Sequence, residues 1–206
     1  MRVMKYVIGI DEVGRGSLAG PVVVAAVSIR SGHAISNSRL GRLRDSKHLT
    51  RKQREGWSRH FKNHPQVTHM IARVYPRTIE RINISRAANT AASRAFQRLS
   101  ECNGFTRSNH KIFLDGGLFL GRDKNFPNAK TVVRGDQKIP AIKIASIIAK
   151  VSRDRFMKRL AMRYPKYGFE IHKGYGTELH RKALKKHGPS NAHRLTFLRF
   201  LQNSKR

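Results

Sequence analysis

The chain has 206 residues, 43 Lys+Arg against 12 Asp+Glu for a formal charge of +31, 39% hydrophobic residues and a single cysteine. That length suits one sizeable core, and the apolar content argues against disorder; a surplus of positive charge that strains the compact state points to a polyanionic partner. Lone Cys102 excludes an intramolecular disulfide and a cysteine-based zinc site. No apolar run approaches the ~20 residues of a membrane span and no signal-peptide pattern opens the chain, so a soluble, cytoplasmic protein without a membrane role is expected.

In chain order, the apolar run Tyr6 to Ile10 ends in two adjacent acids, Asp11 and Glu12. The turn Gly14-Arg15-Gly16 follows, and after Pro21 a second apolar run covers Val22 to Val27. Apolar runs of this length bounded by Gly and Pro read as two strands joined by a tight connection. Arg30 to Arg44 is polar and reads as a loop; Asp45-Ser46-Lys47 and Leu49-Thr50 then lead into a helix from about Arg51 to Asn63, with Trp57 and Phe61 as core anchors. Val67 to Tyr75 alternates as a strand, and Pro76 opens a helical turn. The clearest helix runs from Ile84 to Cys102, where Ile84, Ala87, Ala88, Ala91, Ala92, Ala95, Phe96 and Leu99 follow helical spacing without a gap. Cys102 falls in step with that face and reads as a small core residue.

A third apolar run from Lys111 ends in Asp115 and Gly116-Gly117, and a short strand around Thr131 to Val133 ends in Arg134-Gly135-Asp136. Ala141 to about Tyr164 gives a long helix; beyond Pro165 comes a glycine-containing loop, then helical segments from Glu178 to His187 and from Asn191 onward. Interleaved strands and helices followed by helices describe an α/β domain with a helical C-terminal part. One domain over residues 1–206 is expected, with a core to about residue 164 and a helical segment over 165–206. Residues 155–206 hold 14 Lys+Arg and two acids, so charge density roughly doubles toward that end.

Three strand-like runs thus finish in carboxylates, and in open α/β sheets sites form beyond strand ends. Like charges ~4 Å apart cost about 4 kcal/mol even at an effective dielectric near 20. Gathered acids are therefore protonated or share divalent cations, and hard cations such as Mg²⁺ take such oxygen ligands together with substrate phosphate. Two ions ~4 Å apart are one solution for phosphodiester cleavage. Taken singly, Asp115 before Gly-Gly is more often a turn former than a ligand, Asp45 reads as a helix cap, and Asp154 is better taken as an ion-pair partner of Lys150 four residues earlier. Gly14 to Gly20 is not a dinucleotide fingerprint, because it leads into a strand rather than a helix; its glycines suit close approach to a sugar-phosphate backbone. His172, His180 and His193 are too dispersed along the chain to read as ligands, and hydrogen bonds or phosphate contacts are expected of them.

The blocks IDEVGRGSLAGPVVVAAV, DSKHLT, INISRAA, FLDGG, RGDQKIPAIKIASIIAKVSRD and HKGYGTELHRKAL…HGPSNAHRLTF, from about Tyr6 to Phe197, resemble those of bacterial ribonuclease HII. The resemblance implies an RNase H-like fold, a central mixed sheet flanked by helices, in a monomer. It implies endonucleolytic cleavage of the RNA strand of RNA–DNA hybrids and at single ribonucleotides in DNA duplex, leaving 3′-hydroxyl and 5′-phosphate ends. The family's catalytic acids map onto Asp11, Glu12, Asp115 and Asp136, binding two Mg²⁺ or Mn²⁺ ions. By the same pattern Gly14, Arg15 and Gly16 read the ribose 2′-hydroxyl through backbone groups, Tyr175 packs on the adjoining deoxyribose, and Lys47 and Ser146 lie near phosphate. The sequence departs from the family at His48, Gly117 and Ile144, none of them an implied metal ligand. Two rivals are a non-catalytic nucleic-acid-binding protein on the same fold, which would not set acids against phosphates, and a ribonuclease HIII-like enzyme, whose extra N-terminal domain is not expected here.

Overall fold

The computed structural model describes residues 6–32, 35–41, 43–103, 105, 110–121 and 129–199. Its frame is a sheet of five strands: β1 (Tyr6–Val13), β2 (Val22–Arg30), β3 (Val67–Val74), β4 (His110–Asp115) and β5 (Ala129–Val132), in the order β3-β2-β1-β4-β5. β1, β2 and β3 pair antiparallel, whereas β4 runs parallel to β1 and β5 parallel to β4. The sheet is therefore mixed, and β1 and β4 end on the same side.

Alternation along β2 explains its unbroken apolar run. Val22, Val24 and Ala26 pack with the alanines of α3 (Ile84–Asn103), while Ala25, Val27 and Ile29 face α1 (Arg51–Lys62) and α5 (Pro140–Arg163). Helices cover both faces, so no strand position needs a polar side. Trp57 and Phe61 are fully buried and stacked at 5.2 Å. Thr50 and Gln53 form the reciprocal cap that starts α1, satisfying two otherwise unpaired N–H groups. The N-terminus of α5 presses directly on β1, where a Cβ at Gly9 would lie 2.2 Å from the Ala141 carbonyl carbon. Short helices α2 (Pro76–Ile82) and α4 (Gly135–Lys138) precede α3 and α5.

α5 is apolar on more than one side because it serves two cores. Its first half lies under the sheet; Met157 and Ala161 pack instead with Tyr167, Phe169, Leu184 and Ala192 of the C-terminal part and with Leu18 and Ala19. That part holds α6 (Phe169–His172) and α7 (Glu178–His187). The helix expected from Asn191 onward does not form in the described residues: a turn and a 3₁₀ segment, Leu195–Phe197, stand there. Backbone groups that a helix would use are committed elsewhere, since Gly20 N–H donates to Ala192 O at 2.8 Å and Arg194 N–H to Leu18 O at 2.8 Å. Residues 200–206, the end of that expected segment, lie outside the described residues. The strand expected at Thr131 to Val133 begins two residues earlier, at Ala129. Cys102 is exposed rather than in the core, because the apolar stripe of α3 stops at Leu99.

Two guanidinium groups hold the segment between β1 and β2. Arg153 donates to the carbonyls of Ala19, Pro21 and Lys173, and Arg194 to those of Gly14, Arg15 and Gly20, at 2.8–3.1 Å. Both side chains are fully buried, and neither forms a salt bridge among the described residues. Burial lowers the Arg194 pKa to about 9, which leaves it charged at neutral pH. Carbonyl dipoles replace the carboxylate that a buried charge ordinarily needs. Nearby, His172 and His180 stack at 4.2 Å, and His180 Nε2 lies 3.1 Å from His193 Nε2. Residues far apart in sequence thus meet in a buried hydrogen-bonded cluster.

Replacing Arg194 by Lys keeps the charge but cannot reach three carbonyls, so chemical denaturation should show a loss of about 2–4 kcal/mol; a loss below ~0.5 kcal/mol would contradict the clasp. Burial holds His180 and His193 neutral, each at about 4, against ~6.5 when unfolded. The unfolded chain then binds more protons between these values, so each histidine's contribution is complete above pH ~6.5 and lost as pH falls toward 4, by up to ~3 kcal/mol. Urea midpoints across that window should fall more steeply for the unmodified protein than for His193→Gln, and equal slopes would refute the assignment.

Candidate active site

The four candidate acids reach one cleft from three strand ends. Asp11 and Glu12 end β1, and Asp115 ends β4 one strand over, in register so that Ile10 pairs with Leu114. Asp136 opens α4, just after the turn that follows β5. Asp115 Oδ1 accepts from Gly135 N–H at 2.6 Å, tying that turn to the end of β4. Arg134 adopts the left-handed conformation, φ 55°, to bring the chain round.

A cleft of about 510 Å³ is lined by these acids together with Gly14, Arg15, Gly16, Lys47, Ser146 and Tyr175. All ten residues singled out from the sequence therefore share one cavity. Ser46, Arg54 and Lys150 line it as well, without having been singled out. Arg54 Nη1 donates to the carbonyl of Ser46 at 2.9 Å and to that of Leu49, fixing the loop that carries Lys47. Lys150 does pair with Asp154, at 2.9 Å, yet its ammonium also sits 5.7 Å above the Tyr175 ring. A helix-face spacing signals the pair; nothing local in sequence signals the ring. Asp45 caps the 3₁₀ turn Ser46–His48 by accepting from Lys47 N–H, the modest role its position suggested.

The cleft is electrostatically unsettled. Burial, then repulsion from Glu12 and Asp115, pushes the Asp11 carboxyl well above its ordinary range, opposed by a hydrogen bond from Ser146. Burial raises Glu12, with Arg15 opposing, and burial raises Asp115, with the Gly135 N–H opposing. Two cations give partial relief: Arg15 Nη1 lies 3.2 Å from Glu12 Oε1, and exposed Lys47 reaches Asp136 Oδ2 at 3.0 Å. Glu12 Oε2 is buried without a hydrogen-bond partner. Asp136, through its hydrogen bond, raises the Lys47 pKa.

Among the described residues no three His, Cys, Asp or Glu side chains converge into a ready-made metal cage. The donor set nonetheless fits a hard divalent cation. It is all oxygen, its anions are only partly compensated, and one buried oxygen is unpaired; Mg²⁺ in particular is bound through one or two carboxylates, with water and substrate phosphate completing the shell. The departures from the family pattern lie around this set rather than within it. Ile144 is buried under the sheet, His48 Nδ1 stands 4.0 Å from Asp45, and Gly117 lies beneath Arg15, where a Cβ would come within 3.0 Å of Nη1.

The glycine turn and Tyr175 line the same cleft. Gly14, φ 86°, has no room for a side chain, since a Cβ would meet Arg153 Nε at 2.1 Å. Tyr175 lies under Arg153, 5.3 Å from ring centroid to guanidinium carbon, and its carbonyl is held by His180 Nδ1 at 2.9 Å.

Comparison with known proteins bears on the family and the fold. The family model for ribonuclease HII matches residues 8–200. Ribonuclease HII of Nitratidesulfovibrio vulgaris is 43% identical over 92% of this chain and 84% of its own length; that of Pelagibacter ubique is 40% identical over 94% and 96%. Among solved structures, ribonuclease H2 from Pyrococcus horikoshii OT3 superposes with a TM-score of 0.73 at 24% identity, covering 97% of this chain and 98% of that one. Bst-RNase HIII in complex with Mn²⁺ gives a TM-score of 0.75 at 19% identity, covering 98% and 72%. The mixed sheet with its flanking helices is the RNase H-like fold, and the chain belongs to the ribonuclease HII family of metal-dependent endoribonucleases.

Proposed function

We propose that this ribonuclease H cleaves both the RNA strand of RNA–DNA hybrids and the junction at a single ribonucleotide embedded in DNA duplex, using two Mg²⁺ or Mn²⁺ ions and acting as a monomer. The observation that carries this reading is the shared cleft: four carboxylates, only two of them paired with a cation, line it together with a backbone turn that can inspect one sugar. Asp11, Glu12, Asp115 and Asp136 would hold the divalent cations, which would supply Lewis acidity at the scissile phosphate and a more acidic water near neutral pH. Hydrolysis adds water across the phosphodiester, leaving a 5′-phosphate on one product and a 3′-hydroxyl on the other.

The chain's own groups then do four things. Lys47, exposed and raised in pKa by Asp136, stays protonated and offers charge to the phosphate. Ser146 Oγ lies 2.8 Å from Ser46 Oγ and hydrogen-bonds Asp11, so it holds that carboxylate in place. Arg194 draws the Gly14 and Arg15 carbonyls inward, whereas the Arg15 and Gly16 N–H groups donate to no other backbone group among the described residues. The turn thereby presents donors to a 2′-oxygen, the atom that separates ribose from deoxyribose. Tyr175, braced by Arg153 and Lys150, supplies a flat face for the neighbouring sugar.

Asp11→Asn should abolish cleavage in Mg²⁺ and, without divalent ions, raise the unfolding free energy by ~1 kcal/mol because a repelling buried charge is gone. Retained cleavage would remove Asp11 from the site, and a destabilised variant would contradict the repulsion. Gel assays of a DNA duplex carrying one ribonucleotide should show cleavage dependent on Mg²⁺ or Mn²⁺. Tyr175→Ala should slow that substrate roughly tenfold or more, about 1.4 kcal/mol, while affecting a long hybrid less. Equal effects on both substrates would remove the proposed role of the ring.

A further inference from the structure

A second basic pocket, of about 260 Å³, lies between α1, β3 and α5 and shares no lining residue with the cleft. Arg59, Lys62, Arg73, Arg155 and Arg159 line it together with His69, and no carboxylate does. The acids on the three surrounding elements are already paired: Glu55 with Arg51 at 3.0 Å and Asp154 with Lys150 at 2.9 Å. None of the five cations forms an ion pair among the described residues. Arg73 is fixed by a 2.7 Å bond to Ser152 Oγ, yet its Nε is buried with no partner. A fixed guanidinium with an unmet donor, ringed by unpaired flexible cations, is a site for an oxyanion.

Position selects the oxyanion. On α5 the pocket residues Ser152, Arg155 and Arg159 occupy the side of the helix opposite Ser146 and Lys150, which line the cleft. One phosphate cannot touch both sets across a helix. Along α1, however, Arg54 at the cleft and Lys62 at the pocket are eight residues apart, about 12 Å of helix, and Ser58 of the pocket lies between them. That distance matches the rise of between three and four base pairs at ~3.4 Å each. We propose that this pocket binds a backbone phosphate of the duplex flanking the cleavage site, a grip on nucleic acid separate from the catalytic cleft.

The proposal rests on duplex nucleic acid being the partner, but not on cleavage, so it is tested without catalysis. Affinity for an all-DNA duplex is measured in EDTA over a range of salt for the unmodified protein, Arg155→Gln/Arg159→Gln, and Arg59→Gln/Lys62→Gln. Arg86→Gln/Arg94→Gln, which removes two charges from the exposed face of α3, serves as the comparison. All substituted side chains are exposed, and thermal unfolding checks that each variant folds. Each pocket variant should bind roughly tenfold more weakly at ~0.1 M salt, with the log–log salt slope shallower by about 0.9 for each phosphate no longer neutralised; the α3 variant should keep its slope. Unchanged slopes in the pocket variants, or an equal weakening in the α3 variant, would overturn the proposal. In a second arm, inorganic phosphate is titrated against chloride of matched ionic strength. Thermal stabilisation by phosphate that the pocket variants lose while their duplex slopes stay unchanged would assign the pocket to free phosphate and overturn the duplex reading.

Discussion

Six backbone carbonyls closing on two buried guanidinium groups are the interactions on which the rest of the molecule depends. Arg153 and Arg194 draw together the turn after β1, the second half of α5 and the C-terminal segment, so that the two ends of the sequence make one wall of the cleft. A carboxylate partner would hold only the arginine. Carbonyls from successive residues of a turn fix the backbone itself, and for a surface that inspects a sugar the backbone is what must be rigid. The close fit of Gly14 against Arg153 shows the same constraint from the other side.

Among the acids of the cleft the design is reversed. Asp11, Glu12 and Asp115 are held in a state that disfavours their charge, raised by burial and by neighbouring carboxylates, with Arg15 and Lys47 giving only partial relief. A rigid turn and strained acids share one cleft, and the strain is what divalent ions and phosphate would relieve. The surplus of +31 belongs to the same picture: with so few acids, most of the positive charge lacks an acidic partner, as do the cations of the α1–β3–α5 pocket among the described residues, where substrate phosphates can compensate them.

Local signals made the acids and the glycine turn legible in sequence. A strand's apolar run and its terminal acid are contiguous, so Asp11, Glu12 and Asp115 could be read where they stand, and the spacing of α3 repeats without a gap. The β1 acids and Asp136 are more than a hundred residues apart, and their shared place at strand ends joined them before the family resemblance gave them a catalytic role. What stayed hidden depends on groups distant in sequence. Arg153 reads as one more basic residue on a helix until it is seen to meet Pro21 and Lys173. His172, His180 and His193 looked dispersed because spacing along a chain says nothing of stacking across a loop. Cys102 and the stretch after Asn191 were misread for one reason: each continues a local pattern past the point where tertiary packing ends it.

The central claim is that the turn clasped by Arg194 inspects the sugar whose neighbouring phosphate the acids cut. Single-turnover cleavage of two duplexes tests it most directly, one carrying a ribonucleotide and one the same nucleotide with a 2′-methoxy group, each with the unmodified protein and with Arg194→Lys. The account predicts strong preference for the ribonucleotide that Arg194→Lys reduces at least tenfold, about 1.4 kcal/mol of discrimination. A variant that slows both substrates equally and keeps the preference would show that the clasp supports the fold but does not read the sugar.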